Sequence, residues 1–378
     1  MPNSEILQDL ADTLCGGHSV NARHLDLKMG DFCLRVRSNS DTLLEILADY
    51  FGHIVSAFEH APLELIAIDR DEPTVDLRFV DWRREGNKQG RKDSYINLDN
   101  ARLLRKVRTG MVFLQSTDLL LAAGPCVRND NQVINFIIAQ YMNWLQQRNW
   151  LICHAAGIVC DGQAFGLAGF SGGGKSTLML QMMENPAIQF VSNDRLFIKK
   201  MPGVTSLASY AAGVPKLPRI NPGTIVHNPR LENMIPAPRR TALLAMPKNT
   251  LWDLEEKYDA DIESLYGAGR ISNAPVRLAG FVVLNWQGDS VEQTQLNSVN
   301  LNQRRDLLAA IVKSSGPFYQ RADGSFQDDL QSINEQQYLE TLAGVPVYEV
   351  CGRRDFSAAR YLLSAKLNMP MATEECHV

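Results

Sequence analysis

Residues 169–176 read Gly169-Phe170-Ser171-Gly172-Gly173-Gly174-Lys175-Ser176, a complete G-x-x-x-x-G-K-S string. Glycines let the backbone curl so that successive N–H groups point into one concavity that attracts an anion. A helix starting at Lys175 adds the positive end of its dipole. In that setting Lys175 reaches the outer phosphates of a nucleoside triphosphate, and the Ser176 hydroxyl is suited to Mg2+. The expected phosphate contacts are Gly169, Ser171, Gly172, Gly173, Gly174, Lys175, Ser176 and Thr177. The bland alternative is a chance glycine-rich turn. The context argues against it: the apolar run 164–169 predicts the strand before the loop, and 175–185, ending before Pro186, the helix after it.

Two further groups fall within the same stretch. His154 ends the apolar run Trp150–Cys153, and Asn193-Asp194-Arg195 ends the short predicted strand from Ile188. Asp194 offers the carboxylate oxygen that a hard cation prefers, making it a metal candidate beside Ser176. His154 has the near-neutral chemistry of a proton relay, although an apolar-flanked histidine is often only a hydrogen-bonded core residue. Other nucleotide-binding classes are excluded by what the chain lacks. There is no LSGGQ-type signature, no apolar strand ending in Asp-Glu, and no N-K-x-D base-reading motif.

The order His154, two strands, glycine loop, helix, strand, Asp194 resembles HPr kinase/phosphorylase, and still more the HPr kinase-related kinases of the B type. The likeness is specific over roughly 150–200. It implies an α/β P-loop kinase domain of the HPr kinase/PEP-carboxykinase-like type with a mixed sheet. It also implies ATP and Mg2+ as cofactors and phosphoryl transfer to a hydroxyl, by analogy a serine of a partner protein. His154, Lys175, Asn193 and Asp194 then become the catalytic positions. One departure stands out. The family's Asp-Asp-Arg segment lines up with Asn193-Asp194-Arg195, so the position regarded as the base carries an amide that accepts no proton. Three readings stay open: a protein-serine kinase, a kinase of a small molecule such as an amino acid or sugar, and a non-catalytic nucleotide-dependent switch. HPr kinases form hexamers, which would make this chain a homo-oligomer.

These residues need elements to hold them. Alternation predicts strands over 31–38, 64–71 and 74–82, with two short apolar runs in 111–124. Helical spacing marks 41–58 and, most clearly, 129–149, where Val133, Phe136, Ile137, Tyr141, Trp144 and Leu145 share a stripe. We place the domain boundary near residue 128, after Gly124-Pro125. Residues 1–128 form a smaller α+β accessory or recognition domain, and 129–378 the nucleotide-binding domain. The stretch 214–240, rich in Pro, Asn and Arg, reads as a long irregular excursion. Its Lys216 and Arg219 are either neutralisers of phosphoryl charge or solvated loop cations. Residues 280–286 predict a central strand, 301–314 a helix, and 344–366 a strand, turn and closing helix whose Arg353 and Arg354 default to the surface. The acidic group Asp253, Glu255, Glu256, Asp259, Asp261 and Glu263 reads as a solvated face.

Composition bounds the rest. At 378 residues, two domains are expected. Lys+Arg 38 against Asp+Glu 42 leaves a net charge of −4, unlike a basic nucleic-acid binder. The cluster Arg83, Arg84, Lys88, Arg91, Lys92 reads as a hairpin tip; with no aromatics interleaved beyond Trp82, nucleic-acid binding is rejected. No apolar run approaches a membrane span, and no signal sequence is read at the N-terminus. Seven cysteines without CxxC pairs point to reduced thiols in a cytoplasmic chain.

Overall fold

The computed structural model describes residues 3–83, 91–170, 172–203, 207–247, 250–251, 254, 256–288, 290–329 and 333–369. The chain divides into two compact units, 1–149 with 314–332 and 150–313 with 333–378.

In the first unit the order is α1 (Asn3–Cys15), β1 (His24–Met29), β2 (Phe32–Ser38), α2 (Asp41–Tyr50), β3 (Glu64–Asp69), β4 (Val80–Asp81), β5 (Asp93–Leu98), β6 (Ala101–Lys106), β7 (Val112–Ser116), β8 (Leu120–Gly124) and α3 (Asp130–Gln146). The strands form one eight-stranded sheet, β1-β2-β3-β8-β7-β6-β5-β4. Pairings β2–β3 and β3–β8 are parallel and the others antiparallel.

The expected boundary near residue 128 gives way to one after Asn149, because α3 packs into the first unit. Phe136 meets Phe113 at 4.9 Å between ring centroids, and Gln140 donates to Gln115. The helix is buried nearly all round rather than along one stripe, Ile134, Ile138, Ala139 and Met142 included. Two other elements fall short of expectation. The helix expected over 41–58 stops at Tyr50, where the Phe51 amide caps Leu47 O and Gly52 begins a 3-10 turn through Ile54. Of 74–82, only Val80–Asp81 finds a ladder partner, pairing with Tyr95 and Ser94 at the sheet edge.

The second unit runs β9 (Leu151–Cys153), β10 (Ala155–Cys160), β11 (Gln163–Gly169), α4 (Lys175–Met182), β12 (Ile188–Ser192), β13 (Leu196–Pro202), β14 (Leu207–Ala212), β15 (Arg219–Ile220), α5 (Pro222–Val226), α6 (Ala237–Leu244), β16 (Tyr258–Asp259), α7 (Ile262–Tyr266), β17 (Val276–Leu284), β18 (Gln295–Val299), α8 (Arg305–Ile311), α9 (Glu335–Leu342), β19 (Val347–Cys351) and α10 (Phe356–Lys366). Nine strands make a mixed sheet in the order β12-β10-β11-β17-β14-β13-β9, with β19 beside β17 and β18 beside β19. Pairings β11–β17 and β17–β19 are parallel. Both faces of the sheet are covered, and strand alternation divides the core accordingly. Ile158, Leu167, Val282 and Leu284 pack with Leu178, Met179 and Leu363 on one face. Val159, Ala168, Phe281 and Val283 pack with Leu307, Ile311 and Leu339 on the other.

The excursion 214–240 is irregular only over 214–218 and then carries short elements. Asn221 caps α5 by accepting from the Thr224 amide, and Asn228 caps a 3-10 helix, Pro229–Met234, by accepting from Arg230. Each Asn is followed by Pro at the first helical position, where the missing N–H costs nothing. The helix expected over 301–314 is shorter, Arg305–Ile311. Among the described residues the cysteines are free thiols, and no helix is long and apolar enough to cross a membrane.

Candidate functional site

Strand β11 ends at Gly169 and α4 begins at Lys175, so the glycine loop joins the end of a central strand to a helix. Gly172 and Gly174 adopt φ of 75° and 86°, a left-handed conformation that side chains disfavour. At Gly174 a Cβ would also lie 2.6 Å from the Phe356 ring. Gly173 sits close enough to Phe170 that a Cβ there would come within 2.9 Å of its carbonyl oxygen. The loop is tied from outside as well: Trp286 Nε1 donates to Gly173 O at 2.9 Å, and Trp286 packs edge-on against Phe356 with ring centroids 4.8 Å apart. Ser171 lies outside the described residues.

The ladders explain why His154 and Asp194 meet. His154 sits between β9 and β10, and Asp194 between β12 and β13. Gly157 pairs with Ser192 on one side of this point, and Cys153 with Leu196 on the other. The same antiparallel register runs through both pairs and sets the two connections face to face. Gly157 permits the approach, since a Cβ would stand 2.6 Å from Leu196 Cδ1.

Lys175 is buried, 9% exposed. Its ammonium donates to Gly169 O at 2.9 Å and lies 3.2 Å from His154 Nε2. That same imidazole nitrogen lies 3.2 Å from Asp194 Oδ1. One nitrogen cannot serve both neighbours alike. Unprotonated, Nε2 accepts from Lys175; protonated, it donates to Asp194. The second carboxylate oxygen, Oδ2, is 3.2 Å from Lys313 Nζ. Burial pushes the Lys175 pKa down to about 8, with Asp194 opposing and Lys313 and Lys257 adding to the effect. Burial works to raise that of Asp194, weakly for a side chain 52% exposed. The His154 hydrogen bond and the charges of Lys313 and Arg195 prevail and hold it well below the usual carboxylate range.

Lys216 joins this group electrostatically. Burial, then Arg195 and Arg219, push its pKa down to about 7, while Asp259 and Asp194 oppose. Arg219 instead reaches across β15–β16 to Asp259 at 3.5 Å. Asn193, in the place of the expected base, has a buried Oδ1 without a hydrogen-bond partner among the described residues. Ser176 is half-buried in the first turn of α4. The Thr177 hydroxyl shares a 2.8 Å hydrogen bond with Thr224.

Several sequence candidates serve as structure. Asp261 caps α7, Glu256 pairs with Arg239 at 2.7 Å, and Glu263 accepts from the Gly269 amide. Asp253, Glu255, Arg84 and Lys88 lie outside the described residues. Arg91 pairs with Asp81, and Arg353 and Arg354 are exposed. Sequence reasoning missed Lys313, Trp286 and Phe356. All three reach the site through tertiary pairing, and only the aromatic character of the last two offered a local signal.

The cluster combines an anion-attracting helix start, a buried ammonium, an imidazole and a carboxylate, groups suited to holding an anion and moving a proton beside it. No protein-family model matches the chain, nor does any curated protein. Among solved structures, it is similar to the Hpr(Ser) kinase/phosphatase from Coxiella burnetii at 12% identity and a TM-score of 0.28, over 57% of this chain and 90% of that one. Likeness at that level leaves the chemistry to be argued from this chain's own residues.

Proposed function

We propose that the protein binds a nucleoside triphosphate, ATP with Mg2+, and transfers its terminal phosphoryl group to a hydroxyl, in the first instance a serine of a partner protein. The observation that carries this reading is the convergence of Lys175, His154 and Asp194 at the mouth of a glycine loop whose Gly172 and Gly174 are left-handed. The loop amides and the start of α4 would cradle the β-phosphate. Lys175 would exchange Gly169 O for phosphate oxygen and stabilise charge on the transferring group. His154, freed of Lys175, would face the acceptor hydroxyl and take or relay its proton.

Magnesium suits the oxygen types the chain offers: the Asp194 carboxylate, the Ser176 hydroxyl, and the Asn193 Oδ1, which has no hydrogen-bond partner among the described residues. Such an ion is usually held by one or two carboxylates, with waters and substrate phosphates completing its shell. When bound, it would neutralise phosphate charge. Lys216, which burial and the charges of Arg195 and Arg219 push toward neutrality, would regain its proton beside phosphate charge and add a second cation there.

Equilibrium binding of a fluorescent ATP analogue, wild type against Lys175→Ala, tests the first half. The variant loses about 10–100-fold in affinity, the worth of charge-assisted hydrogen bonds, while keeping its fold. Incubation with γ-labelled ATP, magnesium and a lysate of the source cell tests the second. Label in a protein band supports the serine kinase, and label in a metabolite the small-molecule kinase. Tight binding without transfer supports the switch, the reading that an amide at Asn193 favours.

A further inference from the structure

The backbone pairing that joins His154 to Asp194 delivers one more residue. Val312 forms an antiparallel bridge with Cys153, and the His154 amide donates to Ile311 O at 2.7 Å. Helix α8 ends at this bridge because Val312 turns extended, with ψ of 145°. Lys313 therefore leaves the helix end alongside His154, and its ammonium lies 3.2 Å from Asp194 Oδ2. Its side chain is 16% exposed against 52% for Asp194, so the ammonium is largely sheltered while the carboxylate remains half open to solvent. Oδ1 is meanwhile engaged by His154 and Lys175 by Gly169 O.

We infer that Lys313 is a positioning residue of this site: an internal counter-ion that holds the Asp194 carboxylate in the free protein and competes with a divalent cation for it. The inference rests on the nucleotide reading above. Two cations within a few ångströms of one carboxylate repel, so metal binding at Asp194 requires the ammonium to withdraw. A lysine can do so, having a compact charge on a flexible four-carbon stem, and a withdrawn ammonium is a ready partner for phosphate oxygen. Lys313 thus weakens metal binding while nucleotide is absent and favours it once phosphates offer the ammonium a second place.

Manganese is the probe, titrated against the full chain without nucleotide and followed by its EPR signal. Lys313→Met keeps the stem and removes the charge. Mn2+ affinity should rise about fivefold, the size of one half-exposed ion pair. Affinity for a non-hydrolysable ATP analogue with Mg2+ should fall by a similar factor. Lys313→Arg, which restores a cation, should return Mn2+ affinity toward wild type. A merely structural lysine would not tighten metal binding when removed. Unchanged or weaker Mn2+ binding in Lys313→Met, with analogue binding by wild type intact and lost in Lys175→Ala, overturns this inference alone. If wild type binds neither Mn2+ nor the analogue, the nucleotide reading falls with it. Should Lys313→Met fail to fold by circular dichroism, Lys313→Gln takes its place under the same criteria.

Discussion

Asn193 presents its side-chain oxygen to a buried space in which no described group donates to it. An unsatisfied buried acceptor costs about 1–3 kcal/mol, and native chains keep one where a ligand or water completes it. Asn193→Leu, similar in size and without the oxygen, should therefore stabilise the ligand-free protein by about 1 kcal/mol while abolishing phosphoryl transfer. Urea denaturation and the γ-labelled ATP assay read the two effects separately, and a destabilised leucine variant would mean that the oxygen already has a partner. At this scale the sequence was legible where chemistry is written in consecutive residues. The left-handed glycines and Lys175 follow from one eight-residue string. The place of Lys313 did not, because a lysine just past an apolar helix is commonplace. Only strand pairing between distant segments sets it beside Asp194.

The loop is held by elements, and one carboxylate fastens two of them. Glu349 on β19 accepts from Asn285 Nδ2 at 2.7 Å and from Arg304 at 2.8 and 3.1 Å. Asn285 directly precedes Trp286, whose indole holds the Gly173 carbonyl. The hydrogen bonds from Arg304 outweigh burial, with Asn285 assisting, and keep the Glu349 pKa below its ordinary value. A depressed carboxylate stabilises the fold fully above its unfolded pKa, near 4.3, and loses that contribution as pH falls through the folded one. Glu349→Gln should thus cost about 1–3 kcal/mol at pH 7, and the gap between variant and wild type should close as the pH drops below about 4. Chemical denaturation at both pH values checks this. The same physics explains which elements could be read in advance. Strands such as Val276–Leu284 announce themselves by apolar run and length, and the pairs Asn221-Pro222 and Asn228-Pro229 look like coil although each is a helix start. Residues 74–79 carry strand alternation, and lacking a ladder partner they form no strand.

Neither compact unit is continuous in the chain: residues 314–332 leave the second unit's sequence and fold with the first. Ser315-Gly316-Pro317 does mark a turn at that return, but a turn signal alone does not tell a loop from a change of unit, which is why the expected boundary was a single cut. The returning segment is fastened by Arg102, fully buried at 1% exposure. Its guanidinium donates to Pro317 O at 2.7 Å, Gln327 O at 3.0 Å and Asn97 Oδ1 at 2.8 Å, between the rings of Tyr95 and Phe326, each 4.7 Å from its centre. Gln115 and Asn143 both donate to Phe318 O, whose side chain completes a cluster with Phe113 and Phe136. Of these ties, Arg102 carries the only charge: burial lowers its pKa to about 10, Tyr95, Asp328 and Asp329 oppose that, and the flanking rings add cation–π attraction. Arg102→Met keeps the stem among the rings and strips the donors from two segment carbonyls, a loss of about 3 kcal/mol. The segment should then open locally before the sheet does, since such opening draws on the least stable contacts first. Brief trypsin treatment at 25 °C should cut the variant at Arg321 well before wild type, giving one large N-terminal fragment, while the second unit's analogue binding persists. Equal resistance in both proteins would assign the fastening to the Phe113–Phe136–Phe318 cluster instead.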